Sequence, residues 1–169
     1  MPDRLRLVFT TAPGSILSWA IEKIEGGDAS HVGIQDGGIV YSAEQQGVVE
    51  QSLDKFLVGR RTVRIYEATE EGAKHLDLDR ARAHLGDRYG FREIPGFLIV
   101  RLVELTTGKE ISNPFGDRHA EVCSELALYL DDGTGYVTEF AGLDPDTTTP
   151  LKLHEALSRG GPTFTKIFG

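Results

Sequence analysis

Residues 30–51, SHVGIQDGGIVYSAEQQGVVEQ, constrain the fold more tightly than any other stretch of this chain. Three short runs rich in Val, Ile and Tyr, at 30–35, 38–43 and 48–51, are too brief for helices and suit strands. Asp36-Gly37 between the first two is a hairpin signal, because glycine admits the positive φ that a tight two-residue turn demands. The region around Gly47 separates the second from the third. Residues 4–10 (RLRLVFT) alternate like a strand with one covered face, and 62–68 (TVRIYEA) read as a further strand.

Helical signals surround this meander. Ser15 reads as an N-cap for a helix carrying Ile16, Leu17, Ala20, Ile21 and Ile24, which Gly26-Gly27 ends. Residues 53–58 suit one or two helical turns. Apolar spacing predicts one helix over 70–85, stopped by Gly86, and others over 94–106, 121–130 and 151–157. Residues 131–150, rich in Gly, Asp, Thr and Pro, read as loop, and 163–168 as an edge strand. Strands first and helices later predict an α+β fold with helices on one side of an antiparallel sheet.

The 169 residues are enough for one core, so a single domain over 1–169 is expected. A net charge of -8 argues against nonspecific nucleic-acid binding, which depends on basic surfaces. Arg and Lys are scattered, with short clusters such as Gly59-Arg60-Arg61. The beginning of the chain shows no signal-peptide run, and the apolar segment 94–105 is interrupted by Pro95, Gly96, Arg101 and Glu104. A cytoplasmic protein with no integral membrane segment is the simplest expectation, although export by an unadvertised route stays open.

A single cysteine, Cys123, excludes an internal disulfide. It falls in the first turn of the 121–130 helix if that helix begins near Ala120. There the unpaired amides favour a thiolate and can hold an oxyanion. Free cysteines are, however, among the residues most often buried as small apolar fillers.

A nucleophilic cysteine needs a base, and five histidines are available. His75 and His84 lie on a charged helical stretch and read as solvated. His154 sits in a late helix without polar companions. His119 lies four residues before Cys123. His31 differs, because strand alternation sets it beside Gly33 on the polar face of its strand, in position to meet a group docked there. Ser42 and Glu44 share a face of the next strand, and a carboxylate is the stronger orienter of an imidazole.

SHVGI, then IVYSAEQQGVVEQSLDKFL, LGDRYGF and VCSEL together resemble the circularly permuted branch of the NlpC-type papain-like fold. That branch includes the YiiX/YebB-like cysteine hydrolases and, more distantly, lecithin retinol acyltransferase. The resemblance covers residues 8–130, with a weaker echo in TTTPLKLHEAL. It implies an antiparallel sheet or half-barrel packed against helices, with the cysteine at a helix N-terminus. It also implies Cys123 as nucleophile, His31 as base and Tyr89 in the pocket wall. Family members carry a carboxylate immediately before the alanine of the second strand, where this chain has Ser42. Either Glu44 has taken over from two residues along the same face, or Ser42 orients His31 more weakly; Ser42 is otherwise expected, with Tyr89, among the substrate-binding residues.

The combined expectation is a thiol-dependent amidase or peptidase acting through a Cys-His acyl-enzyme on peptide-like amides, peptidoglycan-type bonds included, without a cofactor. The alternatives are a lipid acyltransferase or thioesterase on the same fold, and an inactive binding module. A metal site of His119, Cys123 and His31 is a further rival, weakened because structural zinc usually recruits more than one cysteine.

Overall fold

A computed structural model describes residues 4–44, 46–87 and 123–169. Its centre is a six-stranded antiparallel sheet in the order β4-β3-β2-β1-β5-β6. The strands are β1 (Arg6–Thr11), β2 (His31–Asp36), β3 (Ile39–Glu44), β4 (Gly47–Ser52), β5 (Arg61–Ala68) and β6 (Phe164–Phe168). The helices described are α1 (Ile16–Glu25), α2 (Leu53–Phe56), α3 (Leu78–Arg82), α4 (Cys123–Leu128) and α5 (Pro150–Ser158). The architecture is α+β, as the sequence pattern predicts.

Local chemistry explains the element ends. Ser15 caps α1 by accepting from the Ser18 amide, and Gly26 ends it in the left-handed region at φ 75°. Thr149 caps α5 through the Lys152 amide, with Pro150 opening the helix where no amide partner is needed. Asp36 pairs with Ile39, so the β2–β3 turn consists of Gly37 and Gly38, with Gly37 at φ 58°.

Pairing of Leu7 with Ile34 and Phe9 with Val32 puts four apolar side chains on one sheet face. They join Tyr41, Ala43, Leu126, Leu130, Leu153 and Leu157 in the main core, which binds α4 and α5 to the sheet. The other face is covered as well. Val8 and Val40 pack there against fully buried Phe56 of α2. Helices therefore lie on both sides of the sheet, which corrects the one-sided expectation. β1, expected to have one covered face, is buried on both.

The helix expected over 70–85 is broken. A 3-10 turn (Gly72–His75) is followed by extended Leu76, and Asp77 then caps α3. Tertiary pairing overrides local propensity here: Leu76 bridges to Asp131, and the Asp77 amide donates to the Leu130 carbonyl at 2.8 Å. Gly72 lies so close to the Thr163 backbone that a Cβ would fall 2.4 Å from its carbonyl oxygen. The edge strand expected over 163–168 is present as β6, paired among the described residues with β5 alone. The helix expected over 94–106 lies outside the described residues.

Candidate active site

The candidate site forms where β2, β3 and α4 begin or end. His31 is the first residue of β2, Glu44 the last of β3, and Cys123 the first described residue of α4. The alternation that places His31 with Gly33 also places Ser42 with Glu44 on the neighbouring strand. His31 and Glu44 meet as a result: His31 Nε2 lies 3.5 Å from Glu44 Oε1, with side chains 12% and 14% exposed. That is an ion-pair contact too long for a well-formed hydrogen bond, and Nε2 makes no closer one.

Cys123 is the second partner of His31. It is buried at 5% exposure and belongs to the main core, yet it lies near enough to the imidazole to favour its protonated form. Burial pulls the His31 pKa down, but the charge and hydrogen bond of Cys123, followed by those of Glu44, outweigh it and hold the group at about 9. Glu44 is affected in the opposite sense. Burial pushes its carboxyl up, while His31 and then Arg60 hold it well below the usual carboxylate range. A negative, a positive and a further ionisable group thus stand in a row in a nearly dry setting.

The surroundings of Glu44 are dense. Arg60 Nη2 reaches Oε2 at 2.6 Å and Nη1 reaches Oε1 at 3.1 Å. Ser42 Oγ donates to Oε1 at 2.8 Å, and Gln51 Nε2 donates to Oε1 at 3.1 Å and to Ser42 Oγ at 3.0 Å. Arg60 also donates to the Phe56 carbonyl at 2.8 Å and lies 4.8 Å over the Phe56 ring. The same ring stands 5.8 Å from the His31 imidazole.

Sequence reasoning brought His31, Glu44 and Cys123 together and missed Arg60, Gln51 and Phe56. In the sequence Arg60 stands only as one member of the short Gly59-Arg60-Arg61 cluster. The usable signal was energetic: a glutamate among strand residues with two covered faces requires a cation. Gly33 also has a different role from the one expected. A Cβ there would meet Val40 Cγ1 at 2.7 Å and Phe56 Cζ at 2.8 Å, so the space beside His31 is filled by core side chains. Ser42 is fully buried and turned to Glu44 and Gln51. Tyr89, His119 and residues 121–122 of the expected 121–130 helix lie outside the described residues.

The other described histidines, His75, His84 and His154, have partners, contrary to expectation. His154 Nδ1 meets the Tyr66 hydroxyl at 2.8 Å, and burial, followed by Arg64 and Lys166, lowers its pKa. His75 stacks on Tyr136 at 3.9 Å, and His84 stacks on Tyr129 at 4.1 Å. Thr10, the cross-strand partner of His31, has a buried hydroxyl without a hydrogen-bond partner among the described residues. The β1–β5 register shifts at this point, between Phe9 and Thr10.

No protein-family model and no curated protein matches this chain. Among solved structures it is similar to the metalloprotein yiiX from Escherichia coli O157:H7, described as DUF1105, with a TM-score of 0.49 and 14% identity. The match covers 98% of this chain and 96% of that one. No group of three or more metal-ligating side chains occurs among the described residues, and no helix among them is long and apolar enough to cross a membrane.

Proposed function

We propose that this protein is a cysteine hydrolase of the permuted papain-like type that cleaves a peptide-like amide through an acyl-enzyme. The supporting observation is the row Cys123–His31–Glu44, assembled from three elements around a nearly dry imidazole. A histidine between a thiol and a carboxylate gives the thiol a proton acceptor and gives the resulting imidazolium a counter-charge.

In this reading the Cys123 proton rests on His31, and the sulfur attacks the carbonyl carbon. The carbonyl π pair moves to oxygen, where amides at the start of α4 stabilise the oxyanion. Collapse of the tetrahedral species breaks the C–N bond, and His31 passes its proton to the departing amine. Water then attacks the thioester, with His31 taking the water's proton and returning it to sulfur as the acid leaves. Glu44 stays ionised throughout and orients the ring. With Nε2 turned to Glu44, Nδ1 is the nitrogen that serves the sulfur.

Trapping the intermediate tests this reading. The full chain is mixed with a panel of peptide amides, including peptidoglycan stem peptides, and with simple acyl esters, then quenched in acid and weighed intact. The expected result is an acyl adduct on Cys123 from at least one peptide amide, absent in Cys123→Ala. Adducts from acyl esters alone would move the assignment to a lipid acyltransferase or thioesterase. No adduct and no turnover across the panel would leave a binding role as the better account.

A further inference from the structure

We propose that Arg60 is a positioning residue for this site: its guanidinium grips both oxygens of Glu44 and fixes the direction in which the carboxylate faces His31. The inference rests on the hydrolase reading, since only there does the aim of Glu44 matter to a reaction.

Geometry carries the assignment. Arg60 places Nη2 on Oε2 at 2.6 Å and Nη1 on Oε1 at 3.1 Å, the two-pronged grip that a planar guanidinium makes and an ammonium cannot. The guanidinium is itself immobilised by the Phe56 carbonyl at 2.8 Å and by the Phe56 ring beneath it. Its side chain is 20% exposed and that of Glu44 14%, so water screens this pair far less than an ordinary surface ion pair. The chain of support runs from Phe56 through Arg60 to Glu44, and from Glu44 to His31.

The groups facing Glu44 define what is lost without Arg60. His31 faces it from β2, Gln51 from β4, Ser42 from its own strand and Arg60 from the loop after α2; Cys123 lies beyond His31. Ser42 and Gln51 carry no charge. Removing Arg60 leaves a mostly buried carboxylate whose remaining cationic partner among the described residues is the imidazolium. The carboxylate then either takes up a proton or turns away from its present aim, and both weaken its hold on His31.

The test uses the full chain as wild type, Arg60→Met and Arg60→Lys, with thermal unfolding as a folding control. Two readouts respond to positioning and not to bulk packing: titration of the Glu44 side-chain carboxyl by carbon NMR, and the pH profile of Cys123 alkylation by iodoacetamide. Arg60→Met is expected to raise the Glu44 titration to the ordinary value of 4.5 or above and to slow alkylation at neutral pH about tenfold. Arg60→Lys is expected to restore the low Glu44 titration but only part of the rate.

A folded Arg60→Met with wild-type alkylation, pH profile and Glu44 titration overturns the proposal and leaves the hydrolase reading standing. If Arg60→Met does not fold, Arg60→Lys decides, because a wild-type rate there rules out the need for a two-pronged grip. Wild-type alkylation at the rate of a free thiol overturns the hydrolase reading instead. In that event, the Glu44 titration still tells whether Arg60 holds the carboxylate.

Discussion

Ser42 Oγ donates to Glu44 Oε1 at 2.8 Å, so the two residues that compete in the sequence for the third position behave as one unit. Glu44 faces the imidazole, and Ser42 faces Glu44. This arrangement assigns unequal roles. Glu44→Gln removes the counter-charge of an imidazolium and is expected to slow Cys123 alkylation about 100-fold. Ser42→Ala leaves the carboxylate charge and the Arg60 grip in place and removes one hydrogen bond to an ionised oxygen, about 1.5 kcal/mol, so its effect should stay at about tenfold. Equal losses in the two variants, measured by intact mass against time, would contradict this division.

His31 carries a pKa raised from 6.5 to about 9, and the sign of its effect on stability follows. A group that binds its proton more tightly when folded stabilises fully below the unfolded value and loses that contribution as pH rises through the folded one. The stability advantage of the wild type over His31→Gln should therefore shrink between pH 6.5 and 9. Urea unfolding at several pH values measures it. An advantage that grows across this window contradicts the placement of His31 between Cys123 and the Glu44 carboxylate.

Glu44 has the opposite linkage. Its folded pKa lies below the ordinary 4.5, so its contribution is present above that value and disappears as pH falls further. Wild type should lose stability relative to Glu44→Gln as pH is lowered below 4.5. Parallel acid-unfolding curves for the two proteins would show that Glu44 is not held ionised by His31 and Arg60.

Gly33 packs by absence. A methyl group there falls 2.7 Å from Val40 Cγ1 and 2.8 Å from Phe56 Cζ, closer than real contacts allow. Gly33→Ala is expected to destabilise the protein by about 1–3 kcal/mol through overpacking. Because the Phe56 ring also contacts His31 and Arg60, alkylation of Cys123 should slow in the same variant. Unchanged thermal unfolding would show that the second sheet face is looser than described.

The legible parts of this molecule are those decided by neighbours in sequence. Ser15 and Gly26 announce both ends of α1, and the apolar spacing of 151–157 marks the body of α5. Period-two alternation sets His31 and Glu44 on adjoining strands, where the pairing of Ile34 with Tyr41 keeps them in register. What escaped reading depends on contacts made across the fold. The break at Leu76 comes from a bridge to Asp131, 55 residues along the chain by subtraction of their numbers. Arg60 reaches Glu44 only because α2 folds back over the sheet and seats Phe56 on Val8 and Val40. No periodicity in the sequence records that return.

The reactivity of Cys123 toward iodoacetamide at pH 7 tests the central claim most directly. A free thiol is only a few per cent ionised at that pH, whereas a sulfur that has given its proton to His31 is ready to react. Wild type is predicted to alkylate at least about tenfold faster than a free thiol, and His31→Ala to fall to the free-thiol rate or below. Wild-type alkylation at the free-thiol rate, unchanged by removal of His31, would contradict the account.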